Sequence, residues 1–402
     1  MKITRVTPWL VRGPAGAGAG RGGPPESGGA PRPPTREYVF VQVETDEGIT
    51  GWGEVTGTGP LPNRAVCAVL REVGPFLAGD DAAQIEAIWH KIFRAMTYVG
   101  TRGVTSCVVS GIDIALWDIR GKALGRPVYE LLGGAVRPAI PLYTHFPLGD
   151  TPEAAARNAL EPVRDGHRAI KTDPFAPERE RRRRRGLPDA YLDGGMSAAG
   201  EQEGADVIAA IREAVGPEVE ILIDAHALYN VPTAVRLATR LAPHRITWFE
   251  EPVPPESYHA LKQVRDQAPV PICVGERLHT RFEFVPVFEG RLADFVMPDV
   301  TWTGGISELK KIATMAEAYY VPVSPHDASG PINVLAGAHV MMTVPNFYRL
   351  ETTRSRMDFY NAFIETPLDV REGELHVPQR PGLGIEMNLD FLRANAAPGW
   401  GA

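Results

Sequence analysis

A repeat constrains this chain more than any other feature. Between Glu220 and Glu351 six short apolar runs recur, each with a polar residue at or just past its end. They read ILID (Asp224), TWFE (Glu250), ICVGE (Glu276), FVMPD (Asp299), VPVSPH (His326) and FYRLE (Glu351). Successive ends lie 26, 26, 23, 27 and 25 residues apart, about the length that one strand, one helix and two loops require. The runs are continuously apolar, as strands are in a parallel sheet covered on both faces. Helical stripes fall between them: Val207, Ile211 and Val215; Ala234, Leu237, Ala238 and Leu241; Ile306, Leu309, Ile312, Ala313 and Ala316. A strand-then-helix unit with reactive groups at the strand ends is the pattern of a (β/α)₈ barrel, an α/β fold whose active site is the C-terminal face of the strands. Ile140–Phe146 and Ala169–Thr172 are expected as the first two strands, with a helix at Ala154–Val163 between them. Glu220–Asp224 is the third strand, and the run ending at Glu351 closes the barrel.

The 402 residues exceed a barrel of ~250 and leave room for a second domain of ~100–150. Ile3–Val11 reads as a strand. Tyr38–Thr45 turns at Asp46–Gly48 into Ile49–Glu54, a hairpin signal. Helices are expected at Arg64–Leu77, Gln84–Met96 and Val104–Leu124, the last ended by Gly125–Pro127. This is an α+β unit. The expected division is residues 1–130, a barrel at 131–355, and a segment 356–402 that returns to the first unit. Gly13–Pro34, rich in Gly, Pro and Ala, reads either as a linker or as a lid over the barrel mouth. Residues 176–203 interrupt the barrel rhythm, and the run Arg181–Arg185 within them reads as a solvated loop, since like charges resist packing. A phosphate or nucleic-acid patch, or a surface meeting a neighbouring subunit, is the alternative.

A formal charge of −7 and a pI near 5.9 argue against nucleic acid and acidic membranes as partners. Cys67, Cys107 and Cys273 lie far apart in apolar runs and read as free thiols rather than a disulfide framework or zinc site. MKITRVTPWL has no signal-peptide pattern, and no apolar run approaches ~20 residues. A cytoplasmic protein is expected, acting on a small molecule and assembling with copies of itself.

Asp224, Glu250 and Glu276 end successive strands. Three anions without a cation would repel strongly in a partly dry site, and a set of hard oxygen ligands suits Mg²⁺. His326 ends the seventh strand and Asp299 the sixth. A neighbouring carboxylate fixes the imidazole tautomer and raises its basicity, as a general base requires. His226 lies two residues past Asp224, which period-two geometry points into the same mouth. Lys171, at the end of the second strand, is either an acid/base or a counter-charge. His90, His145, His244 and His259 read as surface or packing residues. A metal beside a base suits removal of a proton α to a carboxylate.

These residues resemble the enolase superfamily, in its mandelate racemase/muconate lactonizing enzyme branch, and most closely the galactonate dehydratase type. The resemblance spans nearly the whole chain: IDIALWDIRGKALGRPVYELLGG at Ile112–Gly134, then DAH, FEEP, GERL, MPD with TGGI, and SPH…GPI. It implies a (β/α)₇β-type TIM barrel with an α+β capping domain, and a lid at residues 13–34. It implies Asp224, Glu250 and Glu276 as Mg²⁺ ligands, and His326 with Asp299 as the base. It implies His226 as the acid that helps a 3-hydroxyl leave, and Glu351 as a hydrogen-bonding electrophile. Racemases of this branch carry Lys-x-Lys on the second strand; here the stretch is Lys171-Thr172-Asp173, so a second base on the opposite face is missing. Dehydration of a sugar acid to a 2-keto-3-deoxy acid is therefore expected. Cycloisomerisation, epimerisation or racemisation through the same enediolate, and a non-catalytic relative, are the alternatives.

Overall fold

The computed structural model describes residues 1–13, 36–57, 59–184, 193–327, 329–353 and 356–401. The proposed lid, from residue 14 onward, lies outside them, as does Arg185.

Strands β1 (Ile3–Arg12), β2 (Glu37–Thr45) and β3 (Thr50–Glu54) form an antiparallel sheet in that order. Helices Pro60–Leu77, Ile85–Ala95 and Val104–Leu124 pack against it. The glycines of β3 have a steric cause. A methyl on Gly53 would sit 2.0 Å from the carbonyl oxygen of Gly111, and one on Gly51 would sit 2.1 Å from that of Ala115. The sheet thus rests directly on the backbone of helix Val104–Leu124. That helix stops at Gly125, which takes the left-handed conformation (φ 65°) and returns its N–H to the Gly121 and Lys122 carbonyls.

The barrel strands are β4 (Ile140–His145), β5 (Ala169–Thr172), β6 (Glu220–Asp224), β7 (Trp248–Glu250), β8 (Ile272–Val274), β9 (Phe295–Val296) and β10 (Leu350–Thr352). Neighbours from β4 to β9 pair in parallel, and β10 pairs with β4 to close the ring. The seventh position is much shorter than the run VPVSPH suggests. It survives as bridges from Val323 to Val296 and Phe347, and from His326 to Asp299. Two prolines, Pro322 and Pro325, remove ladder donors there.

Tyr143, Ala169, Leu222, Trp248, Cys273 and Met297, one from each successive barrel position, form a buried interior cluster. The alternate residues Leu142, Ile170, Ile221, Ile223, Phe249, Ile272 and Val296 face the surrounding helices. That alternation places the chemistry. Two residues beyond the interior layer, on the same face, stand His145, Lys171, Asp224, Glu250 and Asp299.

The first unit grips the barrel through buried polar contacts. Nε1 of Trp89 donates to the Gly304 carbonyl at 2.9 Å, and Nε1 of Trp117 to Oγ of Ser307 at 2.8 Å. The Ser307 N–H donates to Asp113 at 3.0 Å, and that of Asn333 to Glu54 at 3.1 Å. Toward the C-terminus, Val370–Arg371 and Glu374–Leu375 form a hairpin added to β4. Beyond it the Ala397 N–H donates to Leu10 at 2.7 Å.

The arginine run departs from expectation. Ala176–Arg184 is a helix, not a loop. Its charge is met by acids brought close in space: Arg181 pairs with Glu178 and Glu203, and Arg182 with Asp193 at 2.6 Å. Among the described residues no helix is long and apolar enough to cross a membrane. Cys67 and Cys273 are buried and Cys107 partly so, all three as free thiols.

Candidate active site

The strand ends bring the sequence-selected residues to one mouth. Asp224 and Glu250 stand in direct register on β6 and β7. Glu276 arrives differently. After β8 the chain passes through Gly275 at φ +142°, whose N–H donates to Oε1 of Glu251 at 2.7 Å, so strand periodicity does not place Glu276. His226 also departs from strand geometry, because its φ is +57°. Its ring still reaches the mouth, with Nδ1 3.1 Å from Asp173 and Nε2 3.0 Å from Asp224.

Lys171, 1% exposed, lies at the centre of the negative charge. Its Nζ is 2.7 Å from Glu250, 2.8 Å from Glu351 and 3.7 Å from Asp224. Burial draws its pKa down, yet the field of Glu250, Glu351, Asp224 and Glu276 overrides it and holds the ammonium well above its ordinary range. As placed, the ammonium lies against these carboxylates. The carboxylates still outnumber it. Burial, with Asp224, Glu351 and Glu276 nearby, pushes Glu250 well above the usual carboxyl range despite Lys171.

His326 sits with Nδ1 2.7 Å from Asp299 and Nε2 3.1 Å from Glu276. Burial lowers its pKa, but Glu351, Glu276 and Asp299 together raise it to about 9. Trp302 packs beside the ring at 5.1 Å between centroids. Glu351 accepts from the Tyr143 hydroxyl at 3.1 Å and the Asp327 N–H at 3.2 Å, and meets Nε2 of His145 at 2.5 Å. Burial would raise its pKa, but Lys171, His326 and His145 hold it well below the ordinary value. As placed its carboxylate accepts these hydrogen bonds.

The structure gives three further residues a place at the site. His145, expected as surface or packing, belongs to the mouth; its signal was its place two residues past the interior Tyr143. Asp173 holds His226 from one side while pairing with Arg179, which also donates to Tyr229 at 2.9 Å. Burial works against the ionised form of Asp173, but Arg179 and His226 keep it far below the normal range. Asp327 is 1% exposed and neither of its oxygens has a hydrogen-bond partner among the described residues.

Residues 154–391 match the family model described as enolase C-terminal domain-like, and residues 33–133 match the mandelate racemase / muconate lactonizing enzyme N-terminal domain. The chain belongs to the mandelate racemase/muconate lactonizing enzyme family. Within that family it is 36% identical to a D-galactonate dehydratase of Xanthomonas campestris pv. campestris, over 99% of this chain and 95% of the relative. It is 35% identical to a D-galactarolactone cycloisomerase of Agrobacterium fabrum, over 89% and 90% of the two chains. The crystal structure of an enolase superfamily member from Salmonella Typhimurium superposes with a TM-score of 0.87 at 32% identity, covering 98% of each chain. Dehydratases of this superfamily are generally metal-dependent. In this family member the Asp224, Glu250 and Glu276 oxygens are turned onto Lys171, His226, His326 and Arg277. Among the described residues no three potential ligands converge at metal-binding spacing.

Proposed function

We propose that the chain is a Mg²⁺-dependent sugar acid dehydratase. The observation that carries this reading is a pair of imidazoles, each backed by its own aspartate. His326 with Asp299 follows the seventh barrel position, and His226 with Asp173 follows the third. Four positions apart in an eight-membered ring, they face each other across the carboxylates.

Asp224, Glu250 and Glu276 fit a hard divalent cation by chemistry. They are buried oxygen donors in one another's field, with more negative charge than Lys171 offsets. Bound there, Mg²⁺ would stabilise the charge that develops on the substrate carboxylate as the α-proton leaves. Glu276, once committed to a cation, would no longer hold the proton on His326, leaving the basicity of the imidazole to Asp299 and Glu351.

His326 removes hydrogen from C2 through Nε2 while Asp299 keeps Nδ1 protonated. His226, oriented by Asp173, gives a proton to the departing 3-hydroxyl. Water leaves, a C2–C3 double bond forms, and the resulting enol becomes the 2-keto-3-deoxy acid. Lys171 and His145 fix Glu351 beside the reacting carbon. Asp173, in place of a second lysine, supplies no base on the far face.

Cycloisomerisation has one specific support, the 35%-identical relative with that activity, and it would use the same His326. One experiment separates the readings: incubation with a panel of sugar mono- and diacids in D₂O with Mg²⁺. The dehydratase reading expects 2-keto acid to accumulate, and His326→Asn to lose both product and exchange of the α-proton. Isomerised product without loss of water selects the cycloisomerase. Undiminished exchange in the variant removes His326 as the base.

A further inference from the structure

A second polar cluster lies beside the mouth, and the proposed mechanism does not use it. Tyr38 on β2, Tyr360 on helix Met357–Asn361 and Asp327, the neighbour of His326, are all buried to 1% exposure or less. The hydroxyls of Tyr38 and Tyr360 and both oxygens of Asp327 lack a hydrogen-bond partner among the described residues. Buried polar atoms without partners cost about 1–3 kcal/mol each, so four in one place call for a ligand. The two tyrosine rings are 6.5 Å apart, edge to face. Tyr360 lies in the field of Asp327, Arg356, Arg36 and Tyr38 together. Asp327 joins the cluster to the reacting centre, because its N–H donates to Glu351.

Arg36 stacks over Tyr38 at 5.4 Å and makes no ion pair among the described residues. Burial first, and then the nearby Arg356, lower its pKa, which marks positive charge short of an anion. Glu54 does not fill that need, since its oxygens are engaged by the Thr56 hydroxyl at 2.6 Å and the Asn333 N–H. Asp327 does not fill it either. Asp327 makes no ion pair with Arg36 among the described residues, and burial with the carboxylates of Asp299, Glu54 and Glu351 raises its pKa well above the normal range, against its charged form. The two phenols and the Arg36 guanidinium are donors gathered beside the Asp327 carboxyl.

We propose that Arg36, Tyr38, Asp327 and Tyr360 form a subsite for the far end of the substrate, and that this end is a second carboxylate. The preferred substrate class is then the aldaric diacids over the aldonic monoacids. This rests on the dehydratase reading only in taking the near end to be the sugar acid's reacting carboxylate.

The test is binding measured by calorimetry in the presence of Mg²⁺, with acids that differ only at the far carbon: galactarate against galactonate, and glucarate against gluconate. The expected result is at least ten-fold tighter binding of the diacid in one pair. Arg36→Met should abolish that preference, and Tyr360→Phe, which removes one hydroxyl and keeps the ring, should reduce it several-fold. Equal binding within both pairs overturns the subsite, as does a preference that survives in both variants. If diacids bind selectively but no 2-keto acid forms, the subsite stands and the dehydratase reading fails.

Discussion

Nδ1 of His326 lies 2.7 Å from Oδ2 of Asp299, and the other Asp299 oxygen is saturated. It accepts from the Thr301 N–H at 2.7 Å, the Thr301 hydroxyl at 2.6 Å and Nδ2 of Asn333 at 2.9 Å. Asp299 therefore cannot turn away, and the tautomer with a lone pair on Nε2 is built in. Asp299→Asn puts an amide N–H opposite Nδ1 and reverses that tautomer. Turnover should fall by roughly 10³–10⁴-fold, as reversing a catalytic imidazole does elsewhere, with a much smaller change in KM. Exchange of the substrate α-proton in D₂O checks this, and a loss under ten-fold would show that Asp299 does not set the tautomer.

What the sequence revealed, and what it hid, has a physical division. Apolar runs report which face of a strand is buried, so Lys171, Asp224 and Glu250 were legible as mouth residues. The strands Ala169–Thr172 and Glu220–Asp224 and the helix Val104–Leu124 have the bounds their patterns indicate. Patterns do not report how a strand ends. Glu276 and His226 reach the mouth through positive φ at Gly275 and at His226 itself, conformations fixed by tertiary contacts. The helix at Ala176–Arg184 was hidden because its neutralising partner Glu203 lies on the next helix, Ala198–Val215. His145 was hidden by treating a lone histidine apart from the interior Tyr143 two residues earlier.

Lys171 carries the compensating charge for carboxylates on three other strands, so Lys171→Met should destabilise the protein. Removing one partner of a buried ion pair costs about 3–5 kcal/mol. Part of that loss is recovered when a carboxyl takes up a proton, and Glu250 already tends to do so. The destabilisation should therefore be larger at about pH 8 than at about pH 5. Urea unfolding at the two values checks this; a loss below about 1 kcal/mol at both would mean the carboxylates do not depend on the ammonium.

Glu54, at the junction of the two units, gives a pH dependence of definite sign. Burial is the main cause that raises its pKa from 4.5 to about 7, against the opposing hydrogen bonds from Thr56 and Asn333. Because the folded value exceeds the unfolded one, its stabilising proton is fully present below about 4.5 and is lost as pH rises through about 7. The full window corresponds to on the order of 3 kcal/mol. Glu54→Gln keeps the neutral form at every pH. Its stability relative to the natural chain should rise by about that amount between acid and mildly alkaline conditions, measured by chemical denaturation. A flat difference would show that Glu54 ionises freely in the folded protein.

Divalent cations should stabilise the folded protein through Glu250. Burial and its acidic neighbours make ionised Glu250 unfavourable, so a bound cation must displace a proton or Lys171 from it. Mg²⁺ at about 100 times its Kd should add roughly 2.7 kcal/mol, seen as a higher unfolding temperature after removal and restoration of the metal. The increment should shrink toward acid pH, where protons compete for the same oxygens. Glu250→Gln removes the ionisable oxygen pair while keeping the amide carbonyl, so it should lose most of the increment and all turnover. If the variant gains as much stability from Mg²⁺ as the natural chain does, the cation binds elsewhere and the assignment of Asp224, Glu250 and Glu276 as its cradle is wrong.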